Sequence, residues 1–167
     1  MSTAGFQMTS EELLIATALG SWKLVISRID QALASLSDSE LQRQVAPARN
    51  RIFYLLGHLT ATHDRMFPLL GLGERLHPNF DTIFIANPDR TLPDTISEAE
   101  LRKAWTEVNT KLTTAFEALS PQEWLQKHTA VSADDFAKQP LRNRLSVLLS
   151  RTNHASYHAG QMILAKG

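Results

Sequence analysis

Two histidines stand four residues apart in the stretch Asn153-His154-Ala155-Ser156-Tyr157-His158-Ala159-Gly160-Gln161. On a helix that spacing puts both imidazoles on one face, roughly 40° apart about the axis, within reach of a single metal ion. Taken alone, such a pair is more often packing than chemistry, so a metal site requires a third ligand and a fold that delivers it. The chain has six histidines and no cysteine. Thiolate ligands, iron–sulfur clusters, disulfides and cysteine nucleophiles are therefore excluded, and a transition metal would be held by nitrogen and oxygen. His58 and His63 share an earlier helical pattern and are the candidates for a third ligand. His77 and His128 fall in loop-like stretches and read as surface residues.

The elements that must position these side chains are helices. Thr9 or Ser10 with Glu11-Glu12 starts the first, a hydroxyl cap followed by acids in the first turn. Ile15, Leu19, Trp22, Ile26, Ile29, Leu33 and Leu36 then recur at three- and four-residue spacing until Ser37-Asp38-Ser39 interrupts. A second helix is predicted from Arg49-Asn50 to Leu70, burying Ile52, Leu55, Leu56, Leu59, Met66 and Leu70, with Pro68 late in the pattern and Gly71-Leu72-Gly73 as its stop. From Glu74 to Ile96 the periodicity fails. Pro78, Pro88 and Pro93 mark a long connection whose Phe80, Ile83, Phe84 and Ile85 predict that it is packed down, as a crossover or as a cover for a pocket.

Ser97-Glu98-Ala99-Glu100 is a capping box and opens a third helix through Leu101, Trp105, Val108, Leu112, Phe116 and Leu119. Ser120-Pro121-Gln122-Glu123 starts a short helix anchored by Trp124 and Leu125. His128 to Gln139 reads as a loop with a turn of helix at Ser132-Ala133-Asp134-Asp135. The fourth long helix begins near Leu141 and buries Leu141, Leu145, Leu148, Ala155, Ala159 and Met162. Four long amphipathic helices without a strand predict an all-α fold, a four-helix bundle with a long connection between helices 2 and 3. The 167 residues suit one domain spanning 1–167, with 1–8 a flexible tail.

Composition narrows the partners. Seventeen Lys and Arg balance seventeen Asp and Glu, so no general attraction to nucleic acid is indicated. Arg142, Arg144 and Arg151 cluster loosely and read as a solvated helix face. Met1 to Thr9 lacks the pattern of a signal peptide, and no run approaches the ~18 apolar residues of a membrane span, so the expected location is the cytoplasm and the expected partner a small-molecule substrate.

Helical angles leave the third ligand open. His63 lies roughly 30° from the centre of the second helix's apolar stripe and His58 roughly 110° from it. His154 and His158 lie roughly 130° and 90° from the centre of theirs. Three edge histidines would meet where water and substrate can enter, as a catalytic metal requires.

Leu55-Leu56-Gly57-His58-Leu59, with His154-x-x-x-His158-x-Gly160-Gln161 on the fourth helix, resembles the DinB/YfiT-like superfamily, bacterial four-helix proteins with a three-histidine metal site. Asn143-Arg144-Leu145 and Arg151-Thr152-Asn153 are similar to the approach to the second motif in one subgroup. The resemblance covers helix order, the long second connection and the motif positions. It implies His58, His154 and His158 as metal ligands, with His63 a structural neighbour, a substrate contact or an alternative or additional ligand. Three imidazoles suit a divalent transition metal, zinc or nickel first, with iron, copper or manganese as alternatives, and disfavour magnesium and calcium.

The resemblance further implies a metal-dependent transferase using a low-molecular-weight thiol, or a hydrolase. The alternatives are a non-catalytic metal- or ligand-binding protein and an interaction module that forms a homodimer. No general base is identified; Asp64, Glu74 and Tyr157 are candidates by residue type alone.

Overall fold

The computed structural model describes residues 7–165. The tail expected over 1–8 lies outside them except for Gln7 and Met8, which are exposed and without regular structure. Among the described residues the regular elements are all helices, with isolated bridges at Gln44–Arg51 and Lys127–Asn143 and no strand.

Four longer helices surround the core: α1 (Ser10–Ala34), α3 (Ile52–Asp64), α6 (Glu98–Glu117) and α9 (Arg144–Ala165). Five short ones join them: α2 (Asp38–Leu41), α4 (Met66–Leu69), α5 (Phe80–Phe84), α7 (Pro121–Trp124) and α8 (Ala133–Lys138). The hydroxyl caps act as the sequence predicts. Thr9 with Glu12, Ser97 with Glu100 and Ser120 with Glu123 each form a reciprocal capping box, and Ser37 with Glu40 forms another at α2. α1 packs most extensively on α9, α3 on α6, and the pairs α3–α9 and α1–α6 complete the circuit. Trp22, Ile29, Leu56, Leu59, Leu112, Phe116, Leu148 and Ala155 are among the side chains wholly excluded from water at its centre.

The second helix is shorter than its apolar pattern. It starts at Ile52 and stops at Asp64, with α4 resuming after Arg65. Pro68 is the cause: it cannot donate to the Asp64 carbonyl four residues back, and its ring crowds that carbonyl. The fourth helix begins at Arg144, where the Asn143 side chain accepts from the Ser146 amide at 2.9 Å. Leu141, expected in its buried face, precedes it and is 78% exposed.

The 74–96 connection is ordered by charge. Asp64 is fully buried and accepts from the Leu76 amide (2.7 Å), the His77 amide (3.1 Å) and Arg75 Nε (3.0 Å). Arg75 also forks onto Asp81, which Arg65 holds from the other side. Farther on, Arg51 at the foot of α3 grips Asp89 (2.6 and 2.9 Å) and Asp94 (2.6 and 3.0 Å). Two-point guanidinium–carboxylate bonds of this kind fix geometry as well as charge. Between the clamps, Phe80 and Phe84 of α5 are buried against α3.

Candidate metal centre

His58 lies in the middle of α3, and His154 and His158 lie within α9, so the three meet where those helices touch. Their Nε2 atoms converge: His154 stands 3.2 Å from His58 and 3.1 Å from His158. All three ligand atoms lie within 4.8 Å of one another, and each histidine is partly buried. Nitrogens bound at ~2.0–2.1 Å to one tetrahedral ion would stand about 3.3–3.4 Å apart, close to the separations seen.

The opposite ring nitrogens set the tautomers. His58 Nδ1 donates to the Phe84 carbonyl at 2.9 Å, and His158 Nδ1 donates to Gln161 Oε1 at 2.7 Å. With their protons there, both rings present Nε2 lone pairs to the shared point, as metal-binding histidines do. Burial, with the neighbouring His158, His58 and Arg151, pushes His154 down to about 4. Burial likewise lowers His158, opposed by its bond to Gln161. Neutral imidazoles are the form a metal takes, so the donor set fits a divalent transition ion without a proton having to leave His154 or His158.

Gly57 is part of the device. A β-carbon there would stand only 2.3–2.5 Å from three carbons of the Phe84 ring. Glycine costs a helix interior about 1 kcal/mol relative to alanine. Here it lets Phe84 close on α3 and bring its carbonyl to the next residue's imidazole.

His63 stands apart from the cluster. It is fully buried between Trp22 and Trp105, with ring centroids 4.8 and 5.4 Å away. Asn109 Nδ2 donates to the Trp105 carbonyl (2.8 Å), which turns Asn109 Oδ1 to accept from His63 Nδ1 (2.7 Å). Burial lowers His63 to about 3, so it is a neutral core histidine. His77 and His128, read as surface residues, are partly covered instead; His77 stacks on Phe80 at 4.9 Å. Of the candidate bases, Asp64 is consumed by its three donors, Glu74 is exposed, and Tyr157 is 66% exposed beside His158.

A cleft of about 650 Å³ opens beside His158, lined by Arg49, Asn50, Leu55, Tyr157, Gln161 and Leu164 among others. Sequence reasoning missed Phe84 and Asn109, the partners of His58 and His63. Gln161 was visible in the motif, where its i,i+3 spacing from His158 is the signal for its role.

The family model for the DinB superfamily matches residues 21–162. A comparison with proteins of curated function finds no match. A conserved protein from Enterococcus faecalis, known as a crystal structure, is similar with a TM-score of 0.64 over 96% of both chains. At 16% identity that likeness is one of fold. A family match spanning nearly all the described helices, both histidine motifs included, shows that the chain belongs to the DinB superfamily.

Proposed function

We propose that this chain is a single four-helix-bundle domain that binds one divalent transition metal through His58, His154 and His158 and uses it on a small-molecule substrate, as a transferase or a hydrolase. The observation that carries this reading is the convergence of three Nε2 atoms with two of the rings oriented from behind by Phe84 and Gln161. Among the described residues no further His, Asp or Glu joins the cluster, which leaves a coordination position for substrate, the pattern of a catalytic rather than a structural site.

When bound, a divalent ion at this point supplies Lewis acidity to a water, thiol or carbonyl brought against it. Zinc or nickel fits the three-imidazole donor set best, with iron, copper and manganese as alternatives. The protein's own part is to aim the imidazoles, and to seat the substrate in the cleft beside His158. Leu55 and Leu164 offer that substrate an apolar wall; Arg49, Asn50 and Tyr157 offer polar contacts. Use of a low-molecular-weight thiol, cytoplasmic location and action without nucleic acid or membrane partners belong to the same proposal. No helix among the described residues is long and apolar enough to cross a membrane.

The test is metal analysis of protein purified without a polyhistidine tag, as wild type and as His58→Ala, His63→Ala and His158→Ala. One equivalent in wild type and in His63→Ala, with none in the other two, is expected. Stoichiometric metal in His58→Ala would overturn the assignment.

A further inference from the structure

Arg142, Arg144 and Arg151 read from the sequence as a solvated helix face, and for Arg151 the structure disagrees. Arg151 lies on α9 one turn before His154. It is only partly exposed, its Nε is buried without a hydrogen-bond partner, and among the described residues no carboxylate forms an ion pair with it. Arg65, the cation whose charge acts on it, is committed to Asp81 at 2.8 Å. Burial lowers the proton affinity of Arg151, yet a guanidinium stays charged in proteins. Among the described residues, then, a half-buried positive charge has no negative charge opposite it, an arrangement that costs stability unless something else completes it.

Arg151 lines a second cleft, of about 260 Å³, which shares no lining residue with the one beside His158. Arg142, Ser146, Ser150 and His128 line it with Arg151, and no carboxylate does. The buried Nδ1 of His128 also lacks a partner, and Arg142 and Lys127 add positive charge around it. Two arginines and two serines thus line one small space, and none of its lining residues carries a negative charge. The volume falls just below the ~300–1,000 Å³ of drug-sized ligand pockets, which suits a phosphate or short carboxylate group better than a large cofactor.

We propose that this cleft binds the anionic group of a small molecule, a phosphate ester or a carboxylate, with Arg151 and Arg142 as counter-charges and Ser146 and Ser150 as hydroxyl donors. The site shares no residue with the histidine cluster and does not depend on metal. Guanidinium recognition of oxyanions is the chemistry that arginine geometry serves best.

The experiment is calorimetric titration of the metal-free full chain with inorganic phosphate and, separately, with acetate, at an ionic strength held constant with chloride. Saturable binding of at least one anion is expected. Preference for phosphate assigns a phosphorylated ligand, and preference for acetate a carboxylate. Arg151→Met and Arg142→Ala should each weaken binding roughly tenfold or more, while His158→Ala binds as wild type, so failure of the metal reading leaves this result intact. Without anion, Arg151→Met should unfold at a temperature no lower than wild type, because the uncompensated charge is gone; an arginine kept for packing would give the opposite. Should Arg151→Met not fold, Arg142→Ala decides the matter alone. Absence of saturable binding by either anion, or wild-type affinity in both arginine variants, overturns the proposal.

Discussion

At the scale of single residues, the pair His154 and His158 was legible because i,i+4 spacing is a property of the helix itself. The choice between His58 and His63 was not, because it rests on partners remote in sequence: Phe84 for one, Asn109 for the other. Replacing His63 by alanine should leave metal stoichiometry unchanged while costing about 2–4 kcal/mol in urea unfolding, from the cavity and the stranded Asn109 oxygen. Gln161→Ala should keep the metal but weaken its affinity about 10–100-fold in competition with a chelator, as loss of an orienting partner does. An unchanged affinity would mean that Gln161 does not aim His158.

Protons give a separate test. His63 near 3 and His154 near 4 both sit below the ordinary 6.5 of the unfolded chain. Between those values the unfolded state binds more protons, so stability rises with pH. Metal-free protein should thus hold its full stability above about pH 6.5 and lose up to about 1.4 kcal/mol per pH unit per group as the pH falls toward 4. Asp81, lowered to about 2 mainly by Arg75, adds its own loss only below its ordinary 3.8. Urea titrations from pH 7 to 4.5 on wild type and His63→Leu check the sign; His63→Leu should show the shallower slope, and equal slopes would refute the role given to His63.

At the scale of elements, what was legible was whatever is written locally. The capping boxes of α1, α6 and α7 are sequence patterns four residues long, and each appears where the pattern stands. The 74–96 connection has no such local rule. It is held by Asp64 and Arg51, which in sequence look like ordinary helix-face charges. Pro68 was recognised as a disturbance, and the break at Arg65 follows from the proline's lost bond rather than from any weakening of the apolar stripe. Gly57→Ala gains helix propensity yet should lose about 1–3 kcal/mol through overpacking against Phe84. It should also weaken metal binding, because a displaced Phe84 carbonyl no longer orients His58. Thermal unfolding and chelator competition on this one variant separate the two effects; a stabilised variant with wild-type affinity would rule out the coupling. Asp64→Asn, in contrast, should free the connection, seen as faster amide exchange at Leu76 and His77.

At the scale of the molecule, the all-helical class was legible from periodicity, and the family match over residues 21–162 agrees with it. The number of helices was not, since five of the nine described are single turns or little more whose stability comes from packing. An ion at His58, His154 and His158 would tie α3 to α9. By mass action it should raise stability by about 2.7 kcal/mol at a free concentration a hundredfold above its dissociation constant. Thermal scans with added zinc, and again with chelator, should differ accordingly, and should coincide in the His154→Ala protein.

The close pairing of α1 with α9 has a consequence in time. Ribosomes make α1 more than a hundred residues before the helix that covers it. Until Leu148, Ala155 and Met162 have been added, the stripe containing Trp22 and Ile29 lacks its main cover. The same late segment brings two of the three converging histidines, so closure of the apolar core and assembly of the histidine cluster are a single event during synthesis. A nascent chain halted before Arg144 would expose a sticky helix and hold one histidine of the three, a state for chaperones to shield rather than a partial version of the finished protein.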